Sequence, residues 1–148
     1  MRTVVLTNGC FDLLHVGHVT YLQQARELGD WLIVGLNSDS SVRALKGPDR
    51  PINPQDDRAT VLSALSCVDE VIIFDEPTPE RLIRDIKPDI YVKGGDYTED
   101  TLPERDLVRG LGGTVRCLDH VPGRSTSALV ARLGTSAGSW QESRSISE

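Results

Sequence analysis

A chain of 148 residues suits one ordinary domain, and at 39% hydrophobic and 26% charged residues it reads as a folded globule rather than a disordered segment. Lys plus Arg total 16 against 22 for Asp plus Glu, and this net charge of −6 argues against a general nucleic-acid binder, though not against a small anionic ligand. No apolar run approaches the roughly 20 residues that span a bilayer, residues 1–6 show no signal-peptide layout, and Cys10, Cys67 and Cys117 lie far apart without a CxxC pair, which points to a reducing cytoplasm rather than to disulfides or zinc.

In chain order, apolar runs of strand length alternate with segments of helical period. Residues 4–6, 31–36, 71–74, 90–92 and 115–118 read as short buried strands. Between the first two, Tyr21, Leu22, Ala25 and Leu28 form an apolar stripe, and Gly29 stands where that helix stops. Asn53-Pro54 reads as an N-cap followed by proline at the first helical position, leading into Ala59, Leu62 and Leu65. Thr78-Pro79 repeats the device before Leu82, Ile83 and Ile86, and Pro88 ends that segment. Further helices are expected over 104–111 and 126–133. Residues 134–148, rich in Ser and Gly, read as a disordered tail outside a domain of residues 1–133. Trp31, Phe74 and Leu118 are expected in the core.

Strands alternating with helices imply a single doubly wound α/β domain, a parallel sheet of about five strands with helices on both faces. Such sheets bind ligands beyond the carboxyl ends of their strands, where the winding reverses. The first strand-to-helix connection there reads Asn8-Gly9-Cys10-Phe11-Asp12-Leu13-Leu14-His15-Val16-Gly17-His18. Gly9 and Gly17 suit tight turns and close approach to a ligand, and amides at the helix start, about residues 18–21, suit a phosphate. His15 and His18, three residues apart, fall on one side of the helix entrance and can donate to one phosphate group. The plain alternative is a pair of histidines that cap the helix.

His15-Val16-Gly17-His18 resembles the HxGH motif of nucleotidyltransferases that transfer a nucleoside monophosphate and release pyrophosphate. The longer run from Asn8 to His15 resembles the cytidylyltransferase-like branch. Within it, Gly35-Leu36-Asn37-Ser38-Asp39, Leu45-Lys46-Gly47 with Arg50-Pro51 and Arg58, Val92-Lys93-Gly94-Gly95-Asp96-Tyr97, and Gly123-Arg124-Ser125-Thr126 resemble the sugar-phosphate adenylyltransferases that make ADP-heptose. The likeness spans residues 3 to about 133. It implies a Rossmann-like fold and a stand-alone form of a domain that the family often fuses to a sugar kinase.

The implied reaction is transfer of AMP from ATP to a sugar 1-phosphate, in its most specific version D-glycero-D-manno-heptose 1-phosphate. His15, His18 and Lys46 would be catalytic, Lys46 from a mobile Gly/Pro loop. Asn8, Gly9, Cys10, Phe11, Gly17, His18, Lys93, Gly94, Gly95, Asp96, Arg124, Ser125 and Thr126 would bind the nucleotide, and Asp12, Asp39 and Arg58 the acceptor. Mg²⁺ would arrive on the ATP phosphates with no dedicated protein site. The resemblance also implies a homodimer, and neither nucleic acid nor membrane is an expected partner. Cys10 lacks a resolving cysteine or metal-ligand spacing and is not read as a nucleophile. The competing readings are a cytidylyltransferase acting on glycerol 3-phosphate or a similar alcohol phosphate, an FAD-synthetase-like enzyme, and a non-catalytic nucleotide-binding module.

Overall fold

The computed structural model describes residues 2–95, 97–119 and 126–135. The elements in order are β1 (Val4–Gly9), α1 (Val16–Glu27), β2 (Trp31–Asn37), α2 (Asp39–Lys46), α3 (Gln55–Ser63), β3 (Glu70–Phe74), α4 (Glu80–Ile86), β4 (Ile90–Gly94), α5 (Arg105–Gly110), β5 (Thr114–Leu118) and α6 (Thr126–Thr135). All strand pairs are parallel and the sheet order is β3-β2-β1-β4-β5. The doubly wound α/β class expected from the sequence is the one found.

The strand runs are apolar on both sides because both faces are covered. Leu32, Val34 and Leu36 of β2 pack with Val5 of β1, Leu22 and Ala25 of α1 and Leu62 of α3. The alternate residues Ile33 of β2 and Leu6 of β1 pack with Leu82 and Ile83 of α4 and Val108 of α5. The amino edge of the sheet is closed by carboxylates: Asp30 accepts from Thr3 N at 2.9 Å, Asp89 from Val4 N at 2.8 Å and Asp69 from Leu32 N at 2.8 Å.

The winding reverses between β1 and β4, and these strands stay paired only briefly. Val5 faces Ile90 and Leu6 faces Tyr91, whereas β1 keeps register with β2 from Val4 to Gly9. Past Leu6 and Tyr91 the two strands part, and a cleft opens at their carboxyl ends.

Several local expectations are corrected. Residues 39–46 form a helix, α2, which no apolar stripe announces; Ser38 caps it by accepting from Ser41 N at 3.3 Å. Lys46 is therefore the last residue of a helix, not a loop residue, and Gly47 ends that helix at φ 102°. The cap positions before α3 and α4 are Pro54 and Pro79, one residue later than Asn53 and Thr78, and neither helix has a side-chain cap bond. Strands β1 and β4 reach Gly9 and Gly94, beyond their apolar cores. Phe74 is buried as expected, but Trp31 and Leu118 are only partly buried, and the Arg2 guanidinium lies 4.2 Å above the Trp31 ring. Helix α6 runs two residues past Leu133; residues 136–148 lie outside the described ones.

Gly29 is needed for close approach rather than for a left-handed turn. A Cβ there would stand 2.7 Å from the Thr3 carbonyl oxygen and 2.7 Å from Val5 Cγ2. Gly29→Ala is therefore expected to cost about 1–3 kcal/mol of stability, an overpacking loss, and to leave turnover unchanged, because the position lies at the amino edge. Denaturant unfolding and initial rates check this.

Candidate active site

Asn8 and Gly9 end β1 in the cleft. The Tyr91 hydroxyl donates to Asn8 Oδ1, leaving the Asn8 amide hydrogens as donors. Tyr21 reaches from α1 across the parted strands: its hydroxyl lies 2.7 Å from Thr7 Oγ1 on β1 and donates to Val92 O on β4 at 3.1 Å. A Cβ at Gly94 would stand 3.0 Å from the Tyr21 ring, so glycine is needed there.

The turn after β1 is made differently from the sequence expectation. Gly9 and Gly17 are not in the left-handed region, Gly17 being helical; Phe11 carries the positive φ, 45°. A Cβ at Gly9 would lie 3.0 Å from the Phe11 ring, so Gly9 makes room for that buried ring. Phe11 in turn meets His18 edge-on at 5.2 Å between ring centroids.

His15 and His18 are brought together, with centroids 3.9 Å apart and the rings stacked. Both also cap α1, so the plain alternative and the phosphate reading coexist. His15 Nδ1 accepts from Gly17 N at 3.1 Å, and His18 Nδ1 accepts from His15 N at 3.4 Å. An Nδ1 that accepts bears no hydrogen, so each neutral ring carries its proton on Nε2. His18 is held neutral: burial, then the charges of His15 and Lys46, bring its pKa from 6.5 to about 4. Val19 N already donates to His15 O, so the open amides of the helix start precede residue 19 rather than running over 18–21.

The residues expected on the acceptor side turn their hydrogen bonds inward. Asp12, 2% exposed, accepts from Arg50 Nε at 3.1 Å, Ile52 N at 2.8 Å and Asn53 N at 2.9 Å. Burial raises its pKa, but these donors outweigh burial and hold the carboxyl below its ordinary value. Arg58, also 2% exposed, is no solvated surface cation. It donates to Asn53 O at 2.9 Å, Cys10 O at 2.8 Å, Asn37 O at 2.8 Å and Asp39 Oδ1 at 2.9 Å.

A cavity of about 360 Å³ opens at the carboxyl edge, with Asn8, Asn37, Lys46, Thr78, Lys93 and Glu104 among its lining. A larger cleft of about 710 Å³ lies between the 11–14 segment, α3 and α6. Its lining is dominated by Phe11, Leu13, Leu14, Val61, Leu129 and Leu133, which suits polyphosphate poorly; the smaller cavity, with Lys46 and Lys93 in its lining, suits an anionic ligand better. Gly95 follows Lys93 and Gly94 at φ 87°. Asp96, Arg124 and Ser125 lie outside the described residues, and Thr126 opens α6. Sequence reasoning missed Tyr21, Tyr91 and Glu104, whose roles come from other strands and carry no local signal. Among the described residues no group of three or more His, Cys, Asp or Glu is placed to hold a metal ion.

The model of the cytidylyltransferase-like family matches residues 6–121. The chain belongs to the cytidylyltransferase-like family. This family member is 59% identical over 132 residues to the bifunctional protein HldE of Syntrophotalea carbinolica, covering 89% of the chain and 27% of that relative. It is 56% identical to the HldE of Pseudomonas entomophila, with coverages of 89% and 28%. The chain thus spans about a quarter of the length of these curated relatives. The crystal structure of a lipopolysaccharide core biosynthesis protein from Thermoplasma volcanium superposes with a TM-score of 0.69 at 30% identity, covering 82% of this chain and 98% of that one. Family and site together make the chain a nucleotidyltransferase. No helix of the described residues is long and apolar enough to cross a membrane.

Removing Arg58 strands three carbonyls and one carboxylate. Arg58→Ala is expected to lose about 3–5 kcal/mol of stability, as for a broken buried pair. Arg58→Lys should recover less than half, since an ammonium cannot reproduce the planar fork. Guanidinium unfolding of both variants measures this. His18 gives a pH signature. Its pKa is about 4 when folded against 6.5 ordinarily, so the unfolded chain binds the extra proton between those values. Its contribution is therefore constant above pH 6.5 and is lost as pH falls from 6.5 towards 4. His18→Asn is expected to flatten that part of the ligand-free stability profile, read as unfolding midpoints of both proteins at pH 7.5 and 5.

Proposed function

We propose that the chain transfers AMP from ATP to a sugar 1-phosphate, D-glycero-D-manno-heptose 1-phosphate, and releases pyrophosphate. The observation that carries this reading is the stacked His15–His18 pair, Nδ1 atoms engaged, with Lys46, whose charge reaches His18, lining a polar cavity. The motifs at 35–39, 45–58 and 92–97 support the ADP-heptose version, as does the kinship with proteins named HldE.

The chemistry asks little of acid–base catalysis. A sugar phosphate has a second pKa of about 6 and is already a dianion near neutrality. One of its oxygens attacks the α-phosphorus of ATP in line; the new O–P bond forms as the bond to the β-phosphate oxygen breaks, and pyrophosphate leaves with the electron pair. What remains is to position the partners and to neutralise charge on the bridging and leaving oxygens. Nε2–H of His15 and His18 donates to these phosphates, and Lys46 supplies a positive charge. Asn8, Gly9, Cys10, Phe11 and Gly17 shape the nucleotide side with Lys93, Gly94 and Gly95; Asp96, Arg124, Ser125 and Thr126 complete that side in this reading. Asp12, Asp39 and Arg58 support the acceptor side by fixing its walls. Mg²⁺ bound to the triphosphate lowers the charge to be neutralised.

The test is pyrophosphate release from ATP and CTP, each against heptose 1-phosphate and glycerol 3-phosphate. Turnover is expected with ATP and heptose 1-phosphate; turnover confined to CTP with glycerol 3-phosphate overturns the reading. On the working pair, Lys46→Ala is expected to keep its melting temperature and bind ATP within roughly tenfold of wild type. Its turnover should fall at least about a hundredfold, a loss typical of one charge-stabilising donor. Lys46→Arg should restore little, because a planar fork does not replace a compact ammonium.

A further inference from the structure

We propose that Glu104 selects the acceptor by accepting hydrogen bonds from its sugar hydroxyls, at the end of the polar cavity away from the transferred phosphate. The inference rests on the acceptor-binding reading above and goes beyond it by naming the residue that reads the sugar.

Glu104 immediately precedes α5 and makes no capping bond there. Its side chain lines the cavity that Lys46, Asn8, Asn37, Thr78 and Lys93 also line. Oε2 of Glu104 is buried and accepts no hydrogen bond from the described residues. A buried carboxylate oxygen without a donor is costly, and folded proteins rarely leave one. The neighbouring cation does not relieve it, since Arg105 turns to Asp100 at 3.2 Å and Asp106 at 3.4 Å.

Lys93 is the nearest alternative partner. Its side chain feels the Glu104 charge, yet among the described residues that side chain forms neither a hydrogen bond nor an ion pair. Two opposite charges thus line one cavity without closing on each other. An acceptor that brings hydroxyl donors satisfies the Glu104 carboxylate, while Lys93 stays on the nucleotide side.

The cavity therefore has a direction. Lys46 ends α2, which follows β2, whereas Glu104 follows β4, and β2 and β4 flank β1 on opposite sides, so the two groups line the cavity from opposite flanks; Lys46, whose charge reaches His18, marks the phosphate end. Glu104 marks the other end, where a carboxylate attracts hydroxyl pairs and repels a second phosphate or a carboxylate. The acceptor class that fits is a polyhydroxylated monophosphate, with its hydroxyl-bearing carbons directed at Glu104. An acceptor with an apolar or anionic distal end leaves the carboxylate unpaired and is disfavoured.

Glu104→Gln in the full chain separates this from a structural role. The expected result with ATP and heptose 1-phosphate is a fall of at least about tenfold in acceptor kcat/KM, the loss of a hydrogen bond to a charged group. The KM for ATP should stay within about twofold, and melting temperature should hold or rise once the unpaired charge is gone. Acceptor analogues lacking one hydroxyl should lose rate with wild type and lose less with Glu104→Gln at the position Glu104 reads. Unchanged acceptor kinetics, a rise confined to the KM for ATP, or a lowered melting temperature with equal losses for both substrates each overturns the proposal. If wild type instead turns over CTP and glycerol 3-phosphate, the heptose reading falls but the same comparison decides Glu104. If wild type turns over neither acceptor, calorimetric titration of heptose 1-phosphate into both proteins decides, and equal affinities overturn the proposal.

Discussion

The site depends on one guanidinium buried where nothing about its neighbours in sequence would put it. Arg58 stands in α3, yet it gathers the carbonyls of Cys10 after β1, Asn37 at the end of β2 and Asn53 before its own helix, and pairs with Asp39. A charge out of water is tolerable only when its donors are met, and here the partners come from three separate connections. Asp12 works with the opposite sign, collecting amides of Ile52 and Asn53 and the side chain of Arg50. Of the two pairs of opposite charge, Arg50–Asp12 locks the 10–15 and 47–54 connections to one another, and Arg58–Asp39 ties α3 to the start of α2. Each takes backbone groups as additional partners, and that satisfies connections which would otherwise bury bare amides and carbonyls.

With those connections fixed, the histidines follow. Phe11 turns through a positive φ to seat its ring against Gly9, and the same ring borders His18. The helix cap then orients both imidazoles, because their Nδ1 atoms are committed to backbone amides. A stacked pair next to a lysine cannot carry two further positive charges without a counter-ion, and His18 is accordingly neutral in the free protein. A polyphosphate supplies that counter-ion. With each Nδ1 committed to a backbone amide, the neutral rings present Nε2–H to that anion as fixed donors, with no rearrangement of the helix cap.

The legible parts of the chain are those whose signal is local. Val-, Ile- and Leu-rich runs announced all five strands, and Tyr21, Leu22 and Ala25 announced α1. His15 and His18 were readable because three residues of spacing at a helix start bring two side chains together whatever the rest does. Helix α2 was not readable: among its eight residues only Val42, Ala44 and Leu45 are apolar, and Leu45 is exposed, so no stripe forms. The burial of Arg58 left no local signal, because it is decided by what covers the residue, namely connections about 20 and 48 residues away along the chain. Asn53 looked like a helix cap for the same reason, when its side chain is spent on the Asp12 carbonyl at 2.9 Å. Glu104 gave no signal, since its meaning lies in a cavity assembled from several strands and helices.

The cleft itself is a consequence of sheet topology under a steric limit. Strands β1 and β4 are not sequential neighbours, and they keep register over Val5–Ile90 and Leu6–Tyr91 before parting. Parting leaves strand-end groups that need partners in a region the ligand must also enter. Two tyrosines resolve the conflict from opposite directions. Tyr21 reaches down from α1 and bridges Thr7 to Val92, while Tyr91 rises from β4 and holds the Asn8 side chain. Both phenols are pushed far above their ordinary pKa by burial and remain hydrogen-bond donors throughout the physiological range. The strands are therefore braced apart at fixed separation, and Lys93 and Glu104 line the resulting cavity without forming an ion pair. A sheet that closed fully between β1 and β4 would have backbone partners there instead of a binding site.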